Sequence, residues 1–202
     1  MVEKIVEFFQ AYYHKQKLND DFFTIDFLNI LKEQSFLPYL FYVSDNPKFK
    51  KYYFYCAIHQ ESLIDFQKTI TRKLNENHID HLYVKGSILN QLYNDNTLRT
   101  RGDIDIFVDP NKIEQVKEIL LKEGLELDDK VCMHHIEFKK GNMNLEVHYS
   151  LFDPTDKEYF TFFKNPFAFS RLVDGNCYEL NYEEHFLYCL CHFARHLRTG
   201  AG

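Results

Sequence analysis

The feature that most constrains the fold is an alternation of acidic and apolar residues near the middle of the chain. Gly102 precedes the run Asp103-Ile104-Asp105-Ile106-Phe107-Val108, and Asp109-Pro110-Asn111 follows it. Residues i and i+2 of a β-strand project to the same face, so the two aspartates share one face while the isoleucines can be buried on the other. The run therefore predicts a half-buried strand that carries a pair of carboxylates.

Strand and helix patterns alternate on both sides of this run. A β-like segment ends at Lys85-Gly86-Ser87 and is followed by one or two helical turns. After Pro110 the apolar residues recur with a helical period, and Gly124 is a candidate C-cap. The turn signal Lys140-Gly141-Asn142 joins two further strand patterns. The predicted strands are Ile79–Val84, Asp103–Val108, His135–Lys139 and Asn144–Tyr149.

Helical periodicity dominates both ends of the chain. Apolar residues from Ile5 to Tyr13 are spaced by three and four, and the stretch Tyr182–Leu197 has the same periodicity. We therefore divide the chain into a helical N-terminal segment (1–77), an α/β core (78–152) and a helical C-terminal segment (153–202). This order predicts an α+β fold. The chain ends directly after its last helix, so we expect the natural protein to continue or this sequence to be a fragment.

Composition excludes several classes of protein. Apolar residues make up 45% of the 202 residues and charged residues 27%, which is typical of a soluble globular protein rather than a disordered, collagen-like or coiled-coil chain. The 20 Phe and 14 Tyr predict an aromatic-rich core. A formal net charge of −6 disfavours a long nucleic acid as partner, because such a partner needs a broad basic surface.

The sequence also bears on location. No stretch approaches the roughly 20 apolar residues that span a bilayer, and the N-terminus is charged where a signal peptide is apolar. The five cysteines are odd in number and irregularly spaced, which argues against a disulfide framework and favours a reducing compartment. We therefore expect a cytoplasmic protein with no membrane partner.

The acidic pair on the predicted strand is suited to a divalent cation. Two neighbouring carboxylates repel each other unless a cation lies between them. Mg²⁺, with Mn²⁺ as the alternative, takes oxygen ligands and commonly combines one or two carboxylates with substrate phosphates. On a later predicted strand, Glu146 and His148 alternate with Leu145 and Val147. A third carboxylate from that strand would complete a two-metal site for in-line displacement at phosphorus.

The turn Lys85-Gly86-Ser87 offers a place for phosphate. A glycine lets the backbone approach a phosphate closely. The Ser87 hydroxyl can donate a hydrogen bond and can cap the following helix, whose N-terminus favours anions. Lys85 faces either phosphate or water. The turn is not a Walker P-loop, because the pattern G-x-x-x-x-G-K-[ST] is absent.

Taken together, these residues resemble a known family. The chain is similar to the bacterial uncharacterised nucleotidyltransferase family within the polymerase-beta-like nucleotidyltransferase superfamily, and the similarity is firm from Asp80 to Ser150. It is carried by Lys85-Gly86-Ser87, Leu92-Tyr93, Leu98-Arg99, Gly102-Asp103-Ile104-Asp105, Leu145-Glu146-Val147-His148 and His192-Phe193-Ala194-Arg195-His196. The resemblance implies a nucleotidyltransferase-like core, a small mixed sheet with helices on one side, flanked by N- and C-terminal helical segments.

The resemblance also implies a role for each matching residue. Gly86 and Ser87 would hold the β,γ-phosphates of a nucleoside triphosphate. Asp103 and Asp105 would bind both Mg²⁺ ions. Glu146 would hold the catalytic metal and help to deprotonate an acceptor hydroxyl.

One loop departs from the superfamily pattern. Sixteen positions separate Ser87 from Asp103, more than is usual, and the segment 94–101 absorbs the excess. This segment carries Arg99 and Arg101. Because a guanidinium group suits bidentate contacts with phosphate, we expect the loop to act as a phosphate clamp.

The histidines leave several roles open. His148 contacts substrate, supports the neighbouring glutamate, or is a strand histidine with its hydrogen bonds satisfied. His192 and His196 lie four apart on one helix face and could bind zinc, face the nucleotide or acceptor, or simply pack. His134-His135 together with Glu137 forms another candidate metal cluster.

The activity that these patterns favour is Mg²⁺-dependent transfer of a nucleotidyl group from a nucleoside triphosphate to an acceptor hydroxyl or phosphate. Catalysis would depend on positioning and on electrostatic stabilisation. The alternatives are a catalytically silent nucleotide-binding or regulatory protein on the same fold, and a metal-dependent phosphoesterase that uses water as acceptor. The acceptor, the preferred base and the oligomeric state are left open.

Overall fold

The computed structural model describes residues 1–128 and 132–199. Residues 129–131 and 200–202 lie outside this part. The helices are α1 Val2–Tyr13, α2 Ile25–Glu33, α3 Leu40–Val43, α4 Pro47–Glu76, α5 Gly86–Leu89, α6 Ile113–Lys122, α7 Lys157–Phe162 and α8 Tyr182–Thr199. The strands are β1 His81–Val84, β2 Asp103–Val108, β3 Glu126–Leu127, β4 His135–Lys140, β5 Met143–His148, β6 Ser170–Asp174 and β7 Cys177–Leu180. All four predicted strands are present, with ends that differ by at most two residues.

The seven strands form one mixed sheet in the order β3-β4-β5-β2-β1-β7-β6. Strand β2 pairs in parallel with β5 and antiparallel with β1, while β1 also pairs in parallel with β7. The remaining pairs are antiparallel. The α+β fold with a mixed sheet and with helices at both ends of the chain is therefore confirmed.

The chain divides into two compact units. The first contains residues 1–62 and 90–101, and the second contains residues 63–89 and 102–202. The whole sheet belongs to the second unit. The three sequence segments with boundaries after residues 77 and 152 stay a prediction.

The first unit has an aromatic core, as the composition predicts. Phe8 and Phe27 are both fully buried and meet edge to face with ring centroids 5.7 Å apart. Such pairs add about 0.5–1.5 kcal/mol beyond the area that they bury. Thr24 precedes α2 as its N-cap, but its side chain makes no capping hydrogen bond.

One face of the sheet, named here the Ile104 face, carries the larger core. Because side chains alternate along a strand, Ile104 and Ile106 point away from Asp103 and Asp105. The Ile104 face packs against α4 and α6. The core between this face and the two helices includes Leu63, Phe66, Ile70 and Leu74 of α4, Val116, Ile119 and Leu120 of α6, and Leu145 and Val147 of β5.

The opposite face, named here the Asp105 face, is covered in part by C-terminal residues. Val84, Phe107 and Leu180 form an apolar cluster there with Phe152 and with Tyr188 of α8. Phe152 and Tyr188 meet edge to face at 5.5 Å. The Asp105 face is therefore apolar toward β7 and polar where Asp103, Asp105 and Glu146 project.

Strands β6 and β7 extend the sheet beyond the predicted core. The sequence predicts no strand after residue 150, because this segment is aromatic and lacks regular alternation. In β6, Leu172 and Val173 are 59% and 52% exposed. This edge strand therefore buries no apolar face, and its sequence lacks the alternation of apolar and polar residues that predicts a strand. The register of β7 is set by pairing with β1, a contact between distant parts of the chain. Among the described residues, no helix is long and apolar enough to cross a membrane.

Candidate functional site

Pairing of β2 with β5 brings two of the predicted carboxylates side by side. Asp105 and Glu146 are register partners in this parallel pair, so their side chains lie on the same face of neighbouring strands about 4.8 Å apart. Asp103 lies two residues earlier on β2 and faces the same way, about 6.6 Å along the strand. The Asp105 face thus carries three carboxylates close together.

Two basic side chains bind Asp105. The Lys85 ammonium donates to Asp105 Oδ1 over 2.6 Å, and His148 Nε2 donates to the same oxygen over 3.0 Å. Burial by itself would raise the pKa of Asp105, but the charges and hydrogen bonds of Lys85 and His148 outweigh it and hold the pKa well below its usual range. Asp105 is therefore ionised although it is only 2% exposed.

His148 joins the two neighbouring acids. Its Nε2 lies 3.2 Å from Glu146 Oε2 as well as 3.0 Å from Asp105. Burial opposes a charge on the ring, but hydrogen bonding to both carboxylates raises the pKa of His148 above its ordinary value. The same contact lowers the pKa of Glu146. In the structure His148 therefore supports the acids, one of the roles left open by the sequence.

Asp103 differs from the other two acids. Burial raises its pKa, and the negative charges of Asp105 and Glu146 raise it further. Lys85 and His148 reduce this effect without cancelling it. The ionised form of Asp103 is therefore disfavoured by burial and by the charges of its acidic neighbours.

The turn between β1 and α5 holds the predicted phosphate-binding residues. Lys85 adopts a φ of 50°, a left-handed conformation that is uncommon for a residue with a side chain. Its backbone N–H donates to His185 Nε2 of α8 over 3.1 Å. Gly86 and Ser87 follow as the first residues of α5, and both are buried. This turn lies at the end of β1 beside the acidic end of β2, since Val84 pairs with Asp105.

Helix α8 directs three aromatic side chains toward this site. His185 and Tyr188 are 4% and 0% exposed, and the ring of His192 lies 6.0 Å from that of Tyr188. Burial, together with the charge of Lys85, lowers the pKa of His192 to about 3. His196 Nε2 lies 3.4 Å from His192 Nε2. The sequence did not single out His185 or Tyr188, and no motif in the sequence marks them.

A second group of polar side chains borders the acids at the start of β4. His135 is the register partner of His148, and the two ring centroids lie 4.9 Å apart. The ring centroids of His134 and His135 lie 4.7 Å apart, and the Nδ1 of His134 lies 3.4 Å from Cys132 Sγ. Burial, reinforced by the charge of His148, lowers the pKa of His134 to about 4.

The family model for uncharacterised nucleotidyltransferases matches residues 31–202. The chain belongs to this family. No curated protein matches it.

Solved structures with a similar fold share little sequence with this member of the nucleotidyltransferase family. A Thermotoga maritima protein (TM1012), provisionally described as a nucleotidyltransferase, has 14% identity, a TM-score of 0.46, and coverage of 69% of this chain and 92% of its own. ANT(2'')-Ia in complex with adenylyl-2''-tobramycin has 13% identity, a TM-score of 0.39, and coverage of 44% of this chain and 50% of its own. This chain therefore spans about half the length of ANT(2'')-Ia.

Membership of the nucleotidyltransferase family implies a divalent metal, and the chemistry of the site fits one. Three carboxylates share one face, and burial together with the negative charges of Asp105 and Glu146 raises the pKa of Asp103. A hard cation with oxygen ligands would relieve the repulsion among these charges. In this structure Lys85 takes the cationic position at Asp105. Among the described residues, the sets of three side chains with ligand atoms within 4.8 Å of one another are Cys132–His134–His135 and His135–Glu146–His148. The three carboxylates are not such a set.

Arg99 and Arg101 belong to the first unit, whereas the acids belong to the second. Arg101 is 7% exposed. The contact of these two arginines with phosphate stays a prediction.

Proposed function

We propose that the chain transfers a nucleotidyl group from a nucleoside triphosphate to an acceptor, with Mg²⁺ as its metal. The observation that carries the proposal is the placement of Asp105 on β2 and Glu146 on β5 as register partners, with Asp103 on the same face. Membership of the nucleotidyltransferase family supports it. The acceptor is an unidentified hydroxyl or phosphate compound.

Each residue of the site has a defined task in this proposal. Asp103, Asp105 and Glu146 would hold the metal, which supplies charge neutralisation at the triphosphate when bound. The backbone and hydroxyl of Gly86 and Ser87 would contact the phosphates, since their turn lies at the end of β1 next to Asp105.

The cationic residues near the acids control the charge of the site. Lys85 and His148 keep Asp105 ionised in the free protein. When the triphosphate and metal enter, the Lys85 ammonium would leave the carboxylate for a phosphate oxygen. Glu146, whose pKa is lowered, is ionised and can accept a proton from an acceptor hydroxyl.

Calorimetric titration with a non-hydrolysable triphosphate tests the site. Wild-type protein is expected to bind the analogue in the presence of Mg²⁺ and to lose at least about tenfold in affinity with EDTA. Asp103→Asn combined with Asp105→Asn is expected to abolish Mg²⁺-dependent binding. Asp65→Asn is a matched control, because that carboxylate is 74% exposed on α4. Unchanged binding in the double variant would contradict the assignment.

A second candidate is a nucleotide-binding protein without turnover. The favouring observation is the closed network in which Lys85 and His148 already occupy Asp105 Oδ1. Incubation with all four triphosphates and a small-molecule extract, followed by a pyrophosphate assay, separates the candidates. Sustained release that Glu146→Gln abolishes supports the transferase; triphosphate binding with no release supports the silent protein.

A further inference from the structure

A thiol and two imidazoles converge at the start of β4, beside the carboxylates but separate from them. Cys132 Sγ lies 3.4 Å from His134 Nδ1. One ligand atom from each of Cys132, His134 and His135 lies within 4.8 Å of the other two. Tetrahedral zinc with bonds of about 2.3 Å to sulfur and 2.0–2.1 Å to nitrogen sets its ligand atoms roughly 3.5 Å apart. The observed sulfur–nitrogen distance agrees with that geometry.

His135 is oriented in the way that metal-bound histidines commonly are. Its Nε2 lies 3.5 Å from Glu137 Oε1. Its Nδ1 is buried and has no hydrogen-bond partner among the described residues. A ligating histidine typically holds a carboxylate with one ring nitrogen and the metal with the other. The pairing with Glu137 therefore leaves Nδ1 available as a ligand.

Backbone contacts hold the three ligands in place without a metal. The Tyr149 N–H donates to the His134 carbonyl over 3.0 Å, and the Tyr149 hydroxyl donates to the Cys132 carbonyl over 3.1 Å. Because β4 and β5 pair along their whole length, His135 is fixed by the sheet. A metal entering here would meet ligands that are already positioned.

We propose that Cys132, His134 and His135 form a Zn²⁺ site in which a fourth position is left for water or another ligand. The donor set of sulfur and nitrogen suits zinc and not magnesium, which prefers oxygen. On binding, the Cys132 thiol releases its proton to solvent and ligates as thiolate. None of Asp103, Asp105 and Glu146 is a ligand of this site, so its test does not require the proposed transferase activity.

Co²⁺ substitution tests the site on the metal-free protein of residues 1–202. One equivalent of Co²⁺ is expected to produce a thiolate-to-metal charge-transfer band and the strong visible bands of tetrahedral cobalt, and Zn²⁺ is expected to displace it. Cys132→Ser should remove the charge-transfer band. Cys56→Ser is the matched control, since this thiol lies on α4 in the first unit. A spectrum without the band, or a band that survives in Cys132→Ser, would overturn the proposal.

Two further variants distinguish this site from its neighbours. Glu137→Gln is expected to weaken Zn²⁺ binding about 10–100-fold while the charge-transfer band remains. Glu146→Gln is expected to leave the thiolate-to-cobalt charge-transfer band unchanged, because Co²⁺ held by carboxylates alone gives no such band. Loss of binding in Glu146→Gln but not in Cys132→Ser would assign the metal to His135, Glu146 and His148 and overturn the proposal.

A measurement on the wild-type chain avoids dependence on the folding of variants. Zn²⁺ is expected to slow alkylation of Cys132 by iodoacetamide at least about tenfold, as followed by peptide mass spectrometry, while Mg²⁺ has no effect. Alkylation of Cys56 serves as the internal reference. Equal rates at Cys132 with and without Zn²⁺ would contradict the proposed site.

Discussion

Lys85 and His148 donate to the same oxygen of one buried carboxylate, Asp105 Oδ1, over 2.6 Å and 3.0 Å. Lys85 directly follows β1, Asp105 lies on β2 and His148 on β5, and these three strands are adjacent in the sheet. The ion pair therefore links the predicted phosphate-binding turn to the acidic strand. It also holds a full negative charge at a position that is 2% exposed.

Removing the lysine should expose the cost of that buried charge. We expect Lys85→Met to lower the free energy of unfolding by about 3 kcal/mol, because Asp105 loses its closest cation while it stays buried. Asp105→Asn in the same background should restore part of the loss. A double-mutant cycle in urea should give a coupling energy of about 1 kcal/mol or more. Additive effects would show that the pair contributes nothing to stability.

Neutralising Asp103 should separate stability from activity. Its pKa is raised by burial and by the nearby acids, so its ionised form is destabilised at neutral pH. We expect Asp103→Asn to keep or raise the melting temperature while pyrophosphate release falls about 100-fold or more, since several kcal/mol of charge stabilisation would be lost. A variant that melts earlier and keeps its activity would contradict both expectations.

The Tyr188 hydroxyl should contribute nothing to folding. It is buried and has no hydrogen-bond partner among the residues that the structure describes. We expect Tyr188→Phe to leave stability unchanged or raise it by about 1 kcal/mol, because an unpaired buried polar group is removed. Tyr188→Ala should cost about 3–5 kcal/mol, since the ring packs against Phe152 and Phe163. Urea unfolding measures both; a loss in Tyr188→Phe comparable to that in Tyr188→Ala would reveal an unseen partner.

Asp95 should make the first unit sensitive to acid. Tyr42 and Tyr53 donate to its Oδ2 over 2.6 Å and 2.9 Å, and the Thr97 N–H donates to its Oδ1 over 2.9 Å. Burial opposes the charge, but these donors lower the pKa of Asp95 below its ordinary value.

The sign of the pH effect follows from that direction. The stabilisation that the ionised Asp95 carboxylate gives is fully present above its pKa in the unfolded chain, about 3.9. It is lost as the pH falls through the lower pKa of Asp95 in the folded protein. We expect Asp95→Asn to lose less stability than wild type between neutral and strongly acidic pH in urea titrations. Parallel pH profiles for the two proteins would contradict the expectation.

The β6–β7 hairpin should depend on Gly175. Its φ is 56°, and an added Cβ would lie 2.5 Å from Asn75 Nδ2. The Asn75 amide oxygen accepts the Asn176 N–H over 2.8 Å, so it is not free to move away. We expect Gly175→Ala to destabilise by about 1–3 kcal/mol in thermal unfolding. Gly102→Ala is the control, because a Cβ there meets nothing within 4 Å; equal effects would exclude strain at Gly175.

Local sequence patterns were sufficient to predict the acidic strand β2 and the hairpin of β4 and β5. The bounds of β2, Asp103–Val108, coincide with the predicted strand. Strict alternation of acidic and apolar residues is typical of a half-buried β-strand and does not fit a helix. The hairpin between β4 and β5 follows from the turn residues that join them, and Gly141 adopts the positive φ of 62° that such a turn requires. These features depend on residues a few positions apart.

Helix α8 shows where periodicity was insufficient. The apolar residues that predict this helix, among them Phe186, Leu190 and Phe193, are 71%, 50% and 60% exposed. Its buried side carries His185 and Tyr188 instead. Helical spacing of apolar residues shows that the helix has an apolar face. Which face is buried depends on the surface against which the helix packs.

The order of the residues by itself determined that Asp103 and Asp105 project to one side of a strand, since the alternation of side chains is a property of an extended backbone. Tertiary structure alone decided that Lys85 and His148 meet Asp105, and that Cys132 and His134 lie beside them. The reason is physical: these groups are brought together by the pairing of β1, β2, β4 and β5, and strand pairing across long stretches of chain has no local signature.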